Sequence, residues 1–162
     1  MTASSGAPSA RLGLLAVLTT AAWIAVVIAV WGVLSLLLDT DVIRQQDAGP
    51  YLGPSMVAVA AVALALLVLR IVRTDERPPV AFFGTAAAVF LVLLFVGGIG
   101  YTLVRGELFW LLGFPLEYAP SPFIVAAALL AGAAALIARV IGRAEKGGAR
   151  RPRWPWEDPS DA

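Results

Sequence analysis

The chain has 162 residues, of which 60% are hydrophobic and 14% are charged, and its mean hydropathy is +0.86. This composition excludes an ordinary soluble domain and is typical of a membrane protein, in which the positions of the charges matter more than the net charge of +1. The absence of cysteine and histidine excludes disulfides, thiolate or imidazole metal sites and the usual general base. We therefore predict no catalytic residue, no cofactor and no metal.

Four long uncharged or nearly uncharged runs follow one another along the chain. A helix that crosses a bilayer core needs about 20 apolar residues. We predict spans at about 12–38, 52–72, 80–104 and 122–141. The first run is too long for the apolar region of a signal peptide and has no small-residue cleavage site after it, so we expect an uncleaved anchor.

Polar segments rich in small residues flank these runs at both ends of the chain. Residues 1–11 and 142–162 cannot form a core, and we predict them as disordered tails around a membrane domain at 12–141. The predicted fold class is an all-α integral membrane protein. It is a bundle of four transmembrane helices with a short interfacial segment between spans three and four.

Small residues recur at helical spacing on three of the spans, a pattern that lets membrane helices approach closely. The third span also holds Gly97, Gly98 and Gly100, which weaken a helix locally and would allow a bend there. The predicted helix-packing positions are Ala21, Ala25 and Ala29 in the first span, Gly84 and Gly98 in the third, and Ala134 and Ala138 in the fourth.

The connection between spans three and four has an apolar middle, 108–116, that is too short to span a membrane. Trp110 and Tyr118 are side chains that favour headgroup depth, and Glu107 and Glu117 flank the segment. We predict that this segment lies in the interface, either as an anchor or as a surface that contacts a partner through Trp110 and Tyr118.

The C-terminal tail combines basic and aromatic residues. Arg150, Arg151 and Arg153 precede Trp154 and Trp156, which alternate with prolines. Flanking charge alone explains the arginines but not the tryptophans. Binding to anionic lipid or to a cytoplasmic partner is the alternative interpretation of these five residues.

The distribution of basic residues predicts the orientation. Four spans put both termini on the same side, and the termini with the 70–79 connection carry ten of the 12 basic residues. The other two connections carry only Arg44 and Arg105. By the positive-inside rule both termini are cytoplasmic, in a multi-pass protein of the plasma membrane. The outer side then holds the acidic residues Asp39, Asp41, Asp47, Glu107 and Glu117.

No ionisable residue lies well inside a span, which argues against a transporter or proton relay. We interpret the hydroxyls at membrane depth as structural, since hydroxyls of this kind commonly bond back to their own helix; they belong to Thr19, Thr20, Ser35, Thr85 and Thr102.

The predicted function is therefore that of a non-enzymatic accessory or scaffolding component that acts through helix packing. Its predicted partners are the lipid bilayer and a membrane protein or a second copy of the chain, with no nucleic acid. The alternative is a small solute transporter or a channel subunit. An enzyme comes third, because it would need two outer carboxylates, such as those of Asp41 and Glu107, to converge.

Asparagine is absent, Lys146 is the single lysine beside eleven arginines, and alanine, glycine, valine and leucine dominate. In this composition, in size and in span spacing, the whole chain resembles small four-span membrane proteins of unknown function from high-GC Gram-positive bacteria. The resemblance implies the same fold. It implies no activity and no site residue, because it rests on no specific motif.

Overall fold

The structure is a computed structural model that describes residues 7–43, 49–74 and 76–146. These ranges contain helices and connecting turns and no strand. Four of the helices are long and apolar enough to cross a membrane, and a fifth, short helix lies between the last two of them. The predicted fold class is confirmed. The helices are α1 (Ala7–Leu38), α2 (Leu52–Thr74), α3 (Pro78–Arg105), α4 (Trp110–Tyr118) and α5 (Pro122–Lys146).

The long helices extend beyond the apolar runs that predicted them. α1 begins at Ala7, five residues before the predicted span, and α5 continues to Lys146, five residues past the predicted end at Ile141. Parts of both predicted tails are therefore helical. The apolar run marks the portion of a helix suited to a membrane, whereas backbone hydrogen bonding continues into the polar flanks.

Backbone turns with positive φ end α1 and α3. Asp39, with φ of 48°, follows α1, and the Thr40 N–H donates to the carbonyl of Ser35 across 3.3 Å. Gly106, with φ of 72°, follows α3, and its N–H donates to the Thr102 carbonyl across 2.8 Å. Such left-handed caps pair carbonyls that a helix end leaves without a partner, and each one turns the chain into the next connection.

The core lies between α2, α3 and α5, and α1 packs on one side of it. α3 has its most extensive contacts with α5, and it also packs against α2 and α4, while α1 packs against α5 and α2. Only 11% of the apolar window of α1 is buried, against 39% in α2 and α3 and 44% in α5. α1 therefore has the largest free surface of the four long helices.

Two tryptophans tie α1 to α5. Trp23 Nε1 donates to the carbonyl oxygen of Ala127 across 3.1 Å, and Trp31 Nε1 donates to that of Phe123 across 2.7 Å. The pairing order shows that the two helices run antiparallel. Because a bilayer interior offers no water as an alternative partner, buried indole N–H groups require such acceptors.

Four of the five hydroxyls at membrane depth do not bond back to their own helix. The buried Oγ1 atoms of Thr20, Thr85 and Thr102 have no hydrogen-bond partner among the described residues. Ser35 Oγ donates to the Thr40 carbonyl beyond the end of α1, across 2.9 Å. A helical threonine has two common χ1 rotamers, and only one arrangement of the hydroxyl reaches the preceding turn.

Candidate functional site

α4 packs closely across the last turns of α3, and we call residues 97–118 the α3–α4 junction. A Cβ on Gly97 would overlap the ring of Phe114, and a Cβ on Gly98 would lie 2.9 Å from the Leu111 carbonyl oxygen. The Phe114 side chain is completely buried. The glycines predicted to weaken α3 thus have a packing role, because only a residue without a side chain allows this approach.

An aromatic cluster fills the α3–α4 junction, and it consists of Tyr101, Trp110, Phe114 and Tyr118. Tyr101 meets Trp110 edge to face at a centroid distance of 4.9 Å. Phe114 lies 5.8 Å from Tyr101 and stacks on Tyr118 at 4.3 Å with an interplanar angle of 13°. Aromatic pairs at these separations are stabilising beyond the area that they bury. The cluster therefore fixes α4 on α3.

Two charged side chains hold the edge of the aromatic cluster. Arg105 Nε donates to the Tyr101 hydroxyl oxygen across 3.1 Å, and the guanidinium carbon lies 5.6 Å from the Trp110 ring centroid. Trp110 Nε1 donates to Glu107 Oε2 across 3.2 Å. Cation–π contacts of this kind strengthen where water is scarce. The indole is thus held between a cation and a carboxylate.

Apart from the exposed Glu117, α4 is apolar on both of its faces. Phe114 and Tyr118 point into the bundle, so Tyr118, predicted to lie at headgroup depth, is buried against a neighbouring ring. A helix that is apolar all round needs lipid or protein on its free side. Interfacial depth for this segment remains a prediction. The exposed apolar side chains on and just before α4 are Leu108, Phe109, Leu111, Leu112 and Leu116.

The structure groups the acidic side chains differently from Asp41 and Glu107, the example of a pair that an enzyme would need. Asp41 lines a small depression of about 110 Å³ together with Glu117, while Glu107 accepts the indole N–H of Trp110. Among the described residues, no group of three or more His, Cys, Asp or Glu side chains could hold a metal ion. Two carboxylates, those of Asp41 and Glu117, line the depression within the described ranges.

Three of the predicted helix-packing residues lie inside the bundle or at its edge. Gly98 is buried under α4, and Ala138 is completely buried in the core. Ala134 is half-buried on the side of α5 that faces α1. These small residues belong to contacts within the chain.

The other four predicted helix-packing residues lie on free surfaces. Ala21, Ala25 and Ala29 are all exposed along one side of α1. Gly84 is exposed on α3, and a Cβ at that position would meet nothing within 4 Å. No helix of the described bundle covers these positions. The predicted contact residues Arg150, Arg151, Arg153, Trp154 and Trp156 lie outside the described residues.

Arg139 is a buried cation that the hydropathy pattern does not predict, since it stands close to the end of an apolar run and could extend to the headgroups. Only 6% of its surface is exposed, and its Nε donates to the Glu76 carbonyl oxygen in the α2–α3 connection. The Glu76 carboxylate in turn pairs with Arg70 across 3.1 Å. Helical spacing could have predicted the burial of Arg139, because Ala135 and Gly142, four residues before it and three after it, lie on the same buried face of α5.

An all-α chain with four helices long and apolar enough to cross a membrane is a multi-pass membrane protein. The chain belongs to a family of unknown function (DUF6121), whose model matches residues 10–162. The match includes α2, α3, α4 and α5 and all of α1 from Ala10 onward. No curated protein and no solved structure matches the chain.

Proposed function

We propose that the protein is a non-enzymatic accessory or scaffolding component of the bacterial plasma membrane that binds a transmembrane helix of a partner along α1. The observation that carries the proposal is the exposure of α1, of which 11% is buried in its apolar window. The partner is another membrane protein or a second copy of the chain. The non-enzymatic role rests on a sequence without histidine and cysteine.

In this proposal one side of α1 packs against the bundle and another side binds the partner helix. Trp23 and Val27 are buried against the bundle, whereas Ala21, Ala25 and Ala29 lie exposed along another side of the helix. Apolar side chains alone do not drive helices together in lipid, because lipid tails are equally apolar. Small residues repeated every four positions let two backbones approach and gain dispersion contacts, so the side with the three alanines supports a helix partner.

Ala25→Leu is expected to break the proposed complex, because a larger side chain in the middle of the alanine face separates the two backbones. Overpacking of this kind costs about 1–3 kcal/mol, which weakens association roughly 5- to 150-fold. The native size of the full chain after extraction in a mild detergent measures this. The natural chain should be larger than its 16.9 kDa monomer, and the variant should be monomeric.

Val62→Ala is the control for that experiment, because Val62 is exposed on α2, away from the alanine face. It should leave the native size unchanged. A natural chain that is monomeric in membranes and in mild detergent would exclude the proposed function.

The proposed orientation places both termini in the cytoplasm. It rests on ten of the 12 basic residues, which occur in the termini and in the 70–79 connection. Green fluorescent protein fused after Ala162 should therefore fluoresce, and alkaline phosphatase fused there should be inactive. Active phosphatase at that position would reverse the orientation.

A further inference from the structure

A groove lies between α1 and α5 on the side of the chain termini. Hydrogen bonds from Trp23 and Trp31 join the two helices over their other halves. Beyond Trp23 the facing side chains leave a volume of about 680 Å³. The groove is thus closed at the tryptophan end and begins near the start of α1.

The lining of the groove is almost entirely aliphatic. Arg11 is the one charged residue along it, and no acidic side chain lines it in the part of the chain that the structure describes. Arg11 is exposed and stands at the start of the predicted first span, so its cation lies at the mouth of an apolar channel. The principal apolar walls are formed by Leu14, Leu18, Val26, Leu130, Ala134 and Ile137.

The length of the groove distinguishes between the molecules that could fill it. Its α5 wall runs from Leu130 to Ile141 and its α1 wall from Arg11 to Val26, about 16 Å and about 22 Å at a rise of ~1.5 Å per residue. Both walls are shorter than a hydrocarbon core that is ~30 Å thick. A transmembrane helix would need a groove along the full depth, whereas one lipid tail occupies one leaflet.

We propose that this groove binds one acyl chain of an anionic phospholipid, whose phosphate pairs with the guanidinium of Arg11. The aliphatic walls accept the chain, and the Arg11 cation at the mouth selects a headgroup with net negative charge. Ala21, Ala25 and Ala29 do not line the groove. The groove and the proposed partner face are neighbours on α1, because Leu18 and Ala22 line the groove and lie on the same side of the helix as the three alanines. The lipid site rests on the groove and on Arg11 and not on the alanine face.

Native mass spectrometry of the full chain tests the lipid site. The purified protein is exchanged into detergent micelles that contain equal amounts of phosphatidylglycerol and phosphatidylcholine with the same oleoyl chains. We expect one bound lipid, with phosphatidylglycerol favoured about fivefold, the effect of one basic residue near a headgroup. Arg11→Gln should reduce this preference to about one while phosphatidylcholine binding stays unchanged.

Two variants fill the groove from opposite walls. Ala134→Phe on α5 and Ala22→Phe on α1 each place a ring in the groove, and each should lower the bound fraction of both lipids at least tenfold. Ala87→Phe is the matched control, because Ala87 is exposed on α3 outside the groove. It should bind lipid like the natural chain, and circular dichroism verifies that every variant is helical.

Other outcomes overturn the inference. Equal binding of the two lipids by the natural chain would remove the role of Arg11. Unchanged lipid binding in either folded groove-filling variant would place the lipid elsewhere on the bundle. A second copy of the chain bound in place of lipid, and lost in Ala134→Phe or Ala22→Phe, would assign the groove to an interface between chains. Because Arg11 is exposed, Arg11→Gln remains informative even if a groove-filling variant does not fold.

Discussion

Gly97→Ala and Gly98→Ala are each expected to lower the free energy of unfolding by about 1–3 kcal/mol, the usual cost of overpacking a filled interior. The added methyl group at Gly97 would overlap the Phe114 ring and lie 3.0 Å from Met56 Cε. At Gly98 it would lie 2.9 Å from the Leu111 carbonyl oxygen, a backbone atom that moves only if α4 moves. Thermal unfolding in a mild detergent, followed by circular dichroism, measures the change.

Gly84→Ala is the matched control in the same helix. The position is exposed, and a Cβ there meets nothing within 4 Å. Because alanine also favours a helical backbone over glycine, we expect a neutral or slightly stabilising effect. Equal unfolding temperatures for Gly84→Ala and Gly97→Ala would contradict the close approach of α4 to α3.

Arg139→Ala is expected to destabilise the bundle by about 1.5–3 kcal/mol, the contribution of a hydrogen bond that involves a charged group. The change leaves the Glu76 carbonyl without this donor and removes a buried side-chain stem from between α5 and the α2–α3 connection. The same unfolding measurement in detergent applies.

Arg77→Ala is the control for Arg139→Ala, because Arg77 is exposed at the start of α3 and makes no side-chain capping hydrogen bond there. Its effect should stay within about 0.5 kcal/mol, as for most surface substitutions. Arg139→Lys should fall between the two, since it keeps the charge but loses the planar donor group. An Arg139→Ala variant as stable as Arg77→Ala would show that the buried hydrogen bond is not needed.

The four spans could be predicted from the sequence because a bilayer imposes a minimum length on an apolar helix. The length of an apolar run does not determine how the spans pack, since all four are similarly apolar and lipid-facing positions resemble buried ones. The helical spacing of small residues predicted packing at both Gly98 and Gly84, although the structure buries the first and exposes the second. Only the arrangement of the helices determines which of the two glycines is buried.

The sequence predicted where along the chain the α3–α4 junction lies, but not the contacts that form it. Glycines at the end of α3 and an apolar segment after it are visible in the sequence, and they mark the region. The insertion of Phe114 against Gly97 is not visible, because it depends on the turn after Gly106 that brings α4 back onto α3. Arg139 was missed for a related reason, since its partner Glu76 lies 63 residues away.

The exposed alanine face of α1 is tested most directly by photo-crosslinking in native membranes. A benzophenone amino acid replaces Ala25 in one variant and Val62 in another, so that the two probes lie on different exposed helices. The proposed function predicts one discrete adduct from position 25 and none from position 62, with its mass identifying a second copy or another membrane protein. No adduct from position 25, or the same adducts from both positions, would contradict a partner helix on α1.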